Sequence, residues 1–353
     1  MKTGGSDTSG GFAAPGIEQA LYGSANLSLP IYAGSKIKYG IESAKYLEQA
    51  TRLDAENDKE EIMLNTIAAY INLYKASVAV QVVEENLVQS RLQDSNFSSL
   101  EKNGLLPRND LLRSALQTSN FELTLVDAQN AVQLATVNMN ILLGLPESTK
   151  LIVDSASITS PGQLQTIEEY EQSAGSNRND VQALNYRGKA ANAAIKVAKG
   201  DYYPSLALTG GYIAADIPNF LTVTNAVTLG VGVKYDIGSL WKTKSKVQQA
   251  EAREQQVKIS KDMLTDNIHL DINQAYQNYL ADLKKIEVNK KAVEQANENY
   301  RISKNKYDNS LLILTDLLDA NVQQLRANLS LKTSGADAVL DYYTLQQTAG
   351  LLK

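Results

Sequence analysis

Cysteine is absent from the 353 residues, which excludes disulfides, thiolate metal sites and cysteine nucleophiles. The single histidine, His269, excludes a histidine-rich metal centre or a histidine proton relay. No excess of positive charge exists either: 34 basic residues against 39 acidic leave a net of -5, which gives no footprint for nucleic acid. Long apolar runs are also missing. No stretch approaches the roughly 18 to 20 consecutive apolar residues of a transmembrane helix, and the Gly/Ser-rich start lacks the apolar core of a secretory signal. The membrane architecture still open is a β-barrel, whose strands carry a much weaker signal. Phenylalanine and tryptophan are scarce, 4 and 1 beside 18 tyrosines, a skew that suits half-wet surfaces.

What the chain does have is a repeat. Shifted by 206 positions, Pro30 to Leu145 runs against Asp236 to Leu351 without a gap. Lys36 and Lys38 meet Lys242 and Lys244; Ala69, Tyr70 and Asn72 meet Ala275, Tyr276 and Asn278. The tightest block aligns Asn103, Leu105, Leu106, Asp110, Leu111 and Leu112 with Asn309, Leu311, Leu312, Asp316, Leu317 and Leu318. A gapless match of this length implies two copies of one structural unit.

Each copy shows two periods. Leu229, Val231, Val233, Tyr235 and Ile237 alternate with Gly230, Gly232, Lys234 and Asp236, which predicts a strand with one greasy and one wet face. Ala25 to Ile31 alternates similarly, and Leu206 to Tyr212 forms a further strand joined to the next by a hairpin. The period then turns helical. From Lys36 to about Asn103 there is no proline and only Gly40, enough for about 100 Å of continuous helix. Ile62, Thr66, Ala69, Leu73, Ala76, Val80, Val83 and Leu87 are spaced 4-3-4-3-4-3-4, an a/d seam of coiled-coil type. The second copy follows with Ile268, Ile272, Ala275, Tyr279, Ile286 and Val293, interrupted by Asp282 and Asn289. Long helices end at Asn103-Gly104 and Asn309-Ser310, and return helices run Asn109 to Leu143 and Thr315 to Thr348. A helix from about Leu164 to Lys199, broken near Gly175-Ser176, precedes the second strand pair. The expected organisation is a disordered start over 1–19, a first repeat over 20–146, a connector over 147–163 and a second repeat over 164–353.

These residues carry a resemblance. Arg178-Asn179-Asp180, the alanines through Ala198 and Tyr202-Tyr203-Pro204-Ser205-Leu206 resemble the Arg-x-Asp, Ala-rich helix and Tyr-x-Pro-Ser-Leu strand entry of the TolC family of outer-membrane efflux channels. Tyr307, Ser310 and Asp316-Leu317-Leu318-Asp319-Ala320 are similar to that family's periplasmic tip, and Gly144-Leu145-Pro146 to the close of its first repeat. The resemblance implies a mainly α fold with a few strands: duplicated strand and long-helix hairpins forming an α-helical coiled-coil barrel and a trimeric transmembrane β-barrel. It implies passive efflux through a homotrimer in the outer membrane, with a periplasmic tunnel, a periplasmic adaptor and an inner-membrane pump as partners. No cofactor and no enzymatic activity are expected. In the family a helix and strand precede the first hairpin, so the chain is expected to be N-terminally truncated and to assemble poorly with three strands of four.

The same resemblance assigns candidate sites. Asp316 and Asp319, at i and i+3, match a pore constriction, where three copies make a carboxylate ring favouring cations; helix-start electrostatics is the competing reading. Tyr307 and Asp110 match a closing network between hairpins, while Leu312 stands where the family carries a basic residue. Gly104, Leu105, Leu106, Ser310, Leu311 and Leu312 match the tips at which the adaptor docks, with packing inside the trimer as the alternative. Leu229, Val231, Val233, Tyr235 and Ile237 form the expected lipid-facing strand surface, against an ordinary half-buried strand. The acidic run Glu56 to Glu61 reads as a solvated helix face. A non-channel periplasmic coiled-coil adaptor or spacer is the alternative function; it needs neither lipid-facing strands nor duplication.

Overall fold

The computed structural model describes residues 21–154, 164–217 and 221–352. The expected disordered start over 1–19 lies outside these residues, as does most of the connector, 155–163. Elements run β1 (Leu21–Ala33), α1 (Lys36–Lys102), α2 (Arg108–Leu143), α3 (Ile167–Asn177), α4 (Asn179–Lys199), a 3-10 turn (Gly200–Tyr202), β2 (Ser205–Ile217), β3 (Leu221–Lys234), α5 (Ser239–Asp308) and α6 (Leu314–Thr348). The fold is mainly α with a few strands. Among the described residues, compact units cut across the sequence repeats: one lies within Met1–Gln49 and Asn185–Ile259, the other within Ala50–Leu184 and Ser260–Lys353.

In the first unit, three strands form an antiparallel sheet in the order β1-β2-β3. Register decides which side chains share a face. Leu27 lies opposite Gly210 and Gly210 opposite Leu229; Leu29 lies opposite Leu208 and Leu208 opposite Val231. The other face carries rows such as Asn26, Gly211 and Thr228, or Ser28, Thr209 and Gly230. One face is therefore apolar and the other small or polar. Both are open: every β1 residue up to Tyr32 is exposed. Pro30, which lacks an amide to donate, sits at a register shift in β1. At the sheet end where β1 stops, a Cβ on Gly34 (φ +61°) would lie 2.2 Å from the Gly200 carbonyl oxygen. Only glycine fits that crossing. Beside it, Asp201 accepts from Lys36 Nζ and Lys246 Nζ, each at 2.7 Å, and both ammonium groups hold its carboxyl below the ordinary range.

The second unit is all helical hairpin. Helix α1 carries an 18-residue window of mean hydropathy 1.2, a third of it buried. Ala69 and Leu73, on the expected seam, cluster with Met139 of α2 and are flanked by Leu151 and Val153. Ile71, off that seam, clusters with Ala336 and Val339 of α6. So α1 buries two stripes against two partners, where the heptad pattern predicts one; Ile62, at the head of the seam, is exposed. A third cluster joins Tyr170 and Ala174 of α3, Val181 of α4, Ile268 and Ile272 of α5 and Leu345 of α6. Helix α3 starts with a capping box between Thr166 and Glu169.

All four long-helix ends close alike. Gly104 N–H reaches Glu101 O and Leu105 N–H reaches Leu100 O; Ser310 to Tyr307 and Leu311 to Lys306 repeat the pattern at 2.9 and 2.8 Å. Gly144-Leu145 and Gly350-Leu351 do the same for α2 and α6. These are Schellman closures around a left-handed residue. Three are glycine, and Ser310 (φ 59°) takes the same conformation without glycine's freedom.

Candidate functional site

The α1–α2 and α5–α6 turns come together through an apolar cluster. Phe97 of α1 and Leu314 and Leu317 of α6 are buried, with Leu106, Leu111, Tyr300, Tyr307 and Leu318 packed around them. Tyr307 lies on Phe97 with ring centroids 5.6 Å apart. Burial first, and then the nearby Asp110 carboxylate, push the Tyr307 phenol above its ordinary range. Tyr307 and Asp110 are thus electrostatic neighbours across the two hairpins, and no hydrogen bond joins them among the described residues. Phe97 and Tyr300 are absent from the sequence-based site. Phe97 is one of 4 phenylalanines and aligns with Ser303 in the second copy, so the repeat hides it.

The six tip residues are not equivalent. Leu105 and Leu311 are 73% and 75% exposed. Leu106 turns inward onto the cluster, and Leu312 is half-buried. Asp316 sits in the first turn of α6 and Asp319 one turn on, both exposed; Asp110 holds the corresponding place in α2. Neither N-cap, Pro107 or Ile313, offers a side-chain cap, so these first-turn carboxylates face the helix dipole without one. Arg113, aligned with Asp319, is exposed as well, which makes the two turns opposite in charge at that position.

On the sheet, Leu229, Val231 and Val233 are 84%, 66% and 69% exposed. The strand is shorter than the alternation predicts. It stops at Lys234, and Asp236 accepts a hydrogen bond from the Gly238 amide at 3.0 Å to form a turn. Tyr235 and Ile237 are therefore exposed turn residues rather than strand residues.

Elsewhere the motif residues serve the fold. Arg178 grips Asp180 through two bonds, 3.0 and 2.6 Å, and donates to Thr348 O at 2.9 Å, tying the α3–α4 break to the end of α6. Asn179 donates to Glu60 at 2.8 Å, and burial raises the Glu60 carboxyl. That corrects the solvated reading of the Glu56 to Glu61 run: Glu60 faces α4. Asp282, which breaks the second seam, is buried and paired with Lys285 at 2.6 Å. Its partner across α6 is Asp341, pushed up to about 6 by burial and then by the Asp282 charge. His269 is half-exposed, 3.0 Å from Glu171, as suits a helix surface. Among the described residues no group of acidic or histidine side chains is arranged to hold a metal ion.

A family model described as "Outer membrane efflux protein" matches residues 171–351. The chain is 22% identical over 329 residues to the outer membrane efflux protein BepC of Brucella suis biovar 1 (strain 1330), covering 92% of this chain and 71% of that one. Its fold is similar to the outer membrane protein VceC of Vibrio cholerae, with a TM-score of 0.78 at 17% identity over 95% of this chain and 87% of that one. The CmeC outer membrane channel of Campylobacter jejuni is similar at a TM-score of 0.74 and 14% identity, covering 94% of this chain and 78% of that one.

Proposed function

This chain belongs to the outer membrane efflux protein family, and from that membership we propose that three copies close their sheets into one barrel and their hairpins into one tunnel. The chain is an outer-membrane efflux protein and not an enzyme, which sets aside the non-channel spacer. The observation that supports closure is the sheet itself. Among the described residues, β1 and β3 each keep an unpaired edge, and the apolar face of these two strands stays open. Unpaired backbone groups cannot stand in lipid, and closure across subunits removes them.

Within such an assembly, residues 20–146 and 164–353 supply the two hairpin copies, and 147–163 connects them. Leu229, Val231 and Val233 face lipid, and Tyr235 and Ile237 continue that surface beyond the strand. Leu105 and Leu311, exposed at the tips, meet a periplasmic adaptor that links the tunnel to an inner-membrane pump. Gly104 and Ser310 shape those turns, while Leu106 and Leu312 support them from behind. Asp316 and Asp319 line the constriction, and Tyr307 beside Asp110 holds neighbouring hairpins closed.

Conductance in planar bilayers tests this. Wild type is expected to be cation-selective and blocked from the tip side by trivalent cations at roughly micromolar to millimolar concentration. Asp316→Ala with Asp319→Ala should lose the block and much of the selectivity, whereas Tyr307→Phe should raise conductance and keep the block. A double-alanine channel as blockable as wild type leaves the aspartates as helix-start charges only. A chain that assembles as a trimer and never conducts overturns the channel reading.

A further inference from the structure

Charge is distributed unevenly along this chain. Three segments meet at the sheet end where β1 stops, because Ala33 pairs with Ser205 and Ser205 with Lys234. They are residues 34–46, 196–203 and 234–246. Together they hold nine lysines against three acidic residues, a net of +6, in a chain whose total is -5. Two of those lysines, Lys36 and Lys246, are occupied by Asp201. Lys38, Lys45, Lys242 and Lys244 are exposed, and the 206-residue repeat places Lys38 and Lys244 at one equivalent position, Lys36 and Lys242 at another.

Apolar side chains are interleaved with these lysines on the same helical faces. Ile37 and Ile41 of α1 are 47% and 54% exposed, and Lys38 and Lys45 stand three and four residues from Ile41. In α5, Leu240 and Trp241 are 47% and 73% exposed, with Lys244 four and three residues on. This collar is continuous with the apolar face of the sheet, whose row nearest this end is Tyr32, Leu206 and Val233. The backbone beneath is fixed by the Gly34–Gly200 crossing and the Asp201 ion pairs. Aliphatic and indole groups ringed by lysines suit the boundary between acyl chains and headgroups, where lysine stems lie on apolar surface and the ammonium reaches phosphate.

We propose that this collar binds anionic phospholipid, with Leu240 and Trp241 seated at the acyl boundary and Lys38, Lys242 and Lys244 holding the headgroup phosphates. The inference rests on the reading of the sheet as membrane-inserted and adds a lipid preference to it. Neutral lipid would satisfy the apolar side chains alone; the net +6 favours a negative surface, to which each nearby lysine contributes about fivefold.

Trp241 is the only tryptophan, so its fluorescence reports on the collar directly. The full chain is reconstituted in vesicles of phosphatidylcholine and phosphatidylglycerol, with one or the other lipid brominated as quencher. Wild type is expected to be quenched at least about fivefold more effectively per molecule by the anionic lipid at low salt, the contribution of a single lysine, a preference that fades at roughly 0.5 M salt. Lys38→Glu with Lys242→Glu and Lys244→Glu should abolish it while leaving thermal unfolding and bilayer conductance unchanged. Conductance separates the two readings. A conducting wild type quenched equally by both lipids overturns the lipid preference and leaves the channel standing, and so does a variant that keeps the preference. A conducting protein that neither lipid quenches places a protein partner on the collar instead. A chain that neither conducts nor is quenched overturns both readings.

Discussion

Leu229 and Ile272 are both branched aliphatic residues in the interior of a regular element, yet Leu229 is 84% exposed and Ile272 is 0% exposed. The helical hairpins withdraw Ile272, Leu345 and Leu73 from solvent, each gaining about 1.5–3 kcal/mol of transfer free energy. The outer strands gain little of it: β1 is exposed as far as Tyr32, and Leu229, Val231 and Val233 of β3 stay open. Their register aligns Leu27, Leu29, Leu208, Leu229 and Val231 on one face and leaves that face uncovered. The contrast teaches that one sequence pattern, alternation or heptad, states only that a face is apolar. What covers it is decided by the surroundings: protein for the helices and, in the proposed barrel, lipid for the sheet.

The comparison breaks hardest at Tyr170, fully buried between α3, α5 and α6 with its ring edge-on to Tyr276. Tyr170→Ala should cost about 3–5 kcal/mol in chemical denaturation followed by helical circular dichroism. Insertion of the sheet into vesicles should be hindered far less. Next comes Leu229→Arg. It should leave that denaturation midpoint alone and cost about 2–4 kcal/mol in vesicle insertion, the expectation for a cation near the bilayer midplane. Equal tolerance of arginine at Leu229 would mean that the face meets water or protein. The smallest effect is on pH. Asp341 titrates at about 6 in the fold, above the ordinary value of about 3.9. Between about pH 4 and 6 the folded state therefore holds a proton that the unfolded chain has released, so stability falls as pH rises through that window. For a half-exposed carboxyl the loss is about 1 kcal/mol. Asp341→Asn should flatten the slope, as measured by denaturation at pH 4, 5, 6 and 7.

The limits of the long helices were legible because backbone chemistry marks them, whereas the end of β3 was not. Gly104, Gly144 and Gly350 stand where a left-handed closure is needed, and Pro107 cannot continue a helix, so the ends of the long and return helices at these closures fall within about a residue of expectation, whereas α3 starts at Ile167 rather than Leu164. Packing partners were less legible. The heptad seam in α1 assumes one partner, and Ile71 and Val82 belong to a second stripe that a single periodicity cannot reveal. Asp282 is visible in the sequence only as an interruption; its proton-sharing neighbour Asp341 lies 59 residues on, in another helix. Glu60 is hidden for the same reason, since Asn179 is 119 residues away. At the tips, the repeat draws the eye to residues the two copies share. Phe97, which the copies do not share, is the one around which the turns pack.

The Gly34–Gly200 crossing has a mechanical consequence. With Gly34's would-be Cβ overlapping the opposite carbonyl, the two backbones are meshed like gear teeth rather than separated by compressible side chains. The first turn of α1 cannot slip along the chain entering β2, and Asp201, holding Lys36 and Lys246 at once, pins the start of α5 to the same point. A turning moment on the beginning of α1 is not absorbed where it arises. It passes as torque into β1 and β2, whose hydrogen-bonded pairing, shifted once at Pro30, spreads the load along both strands.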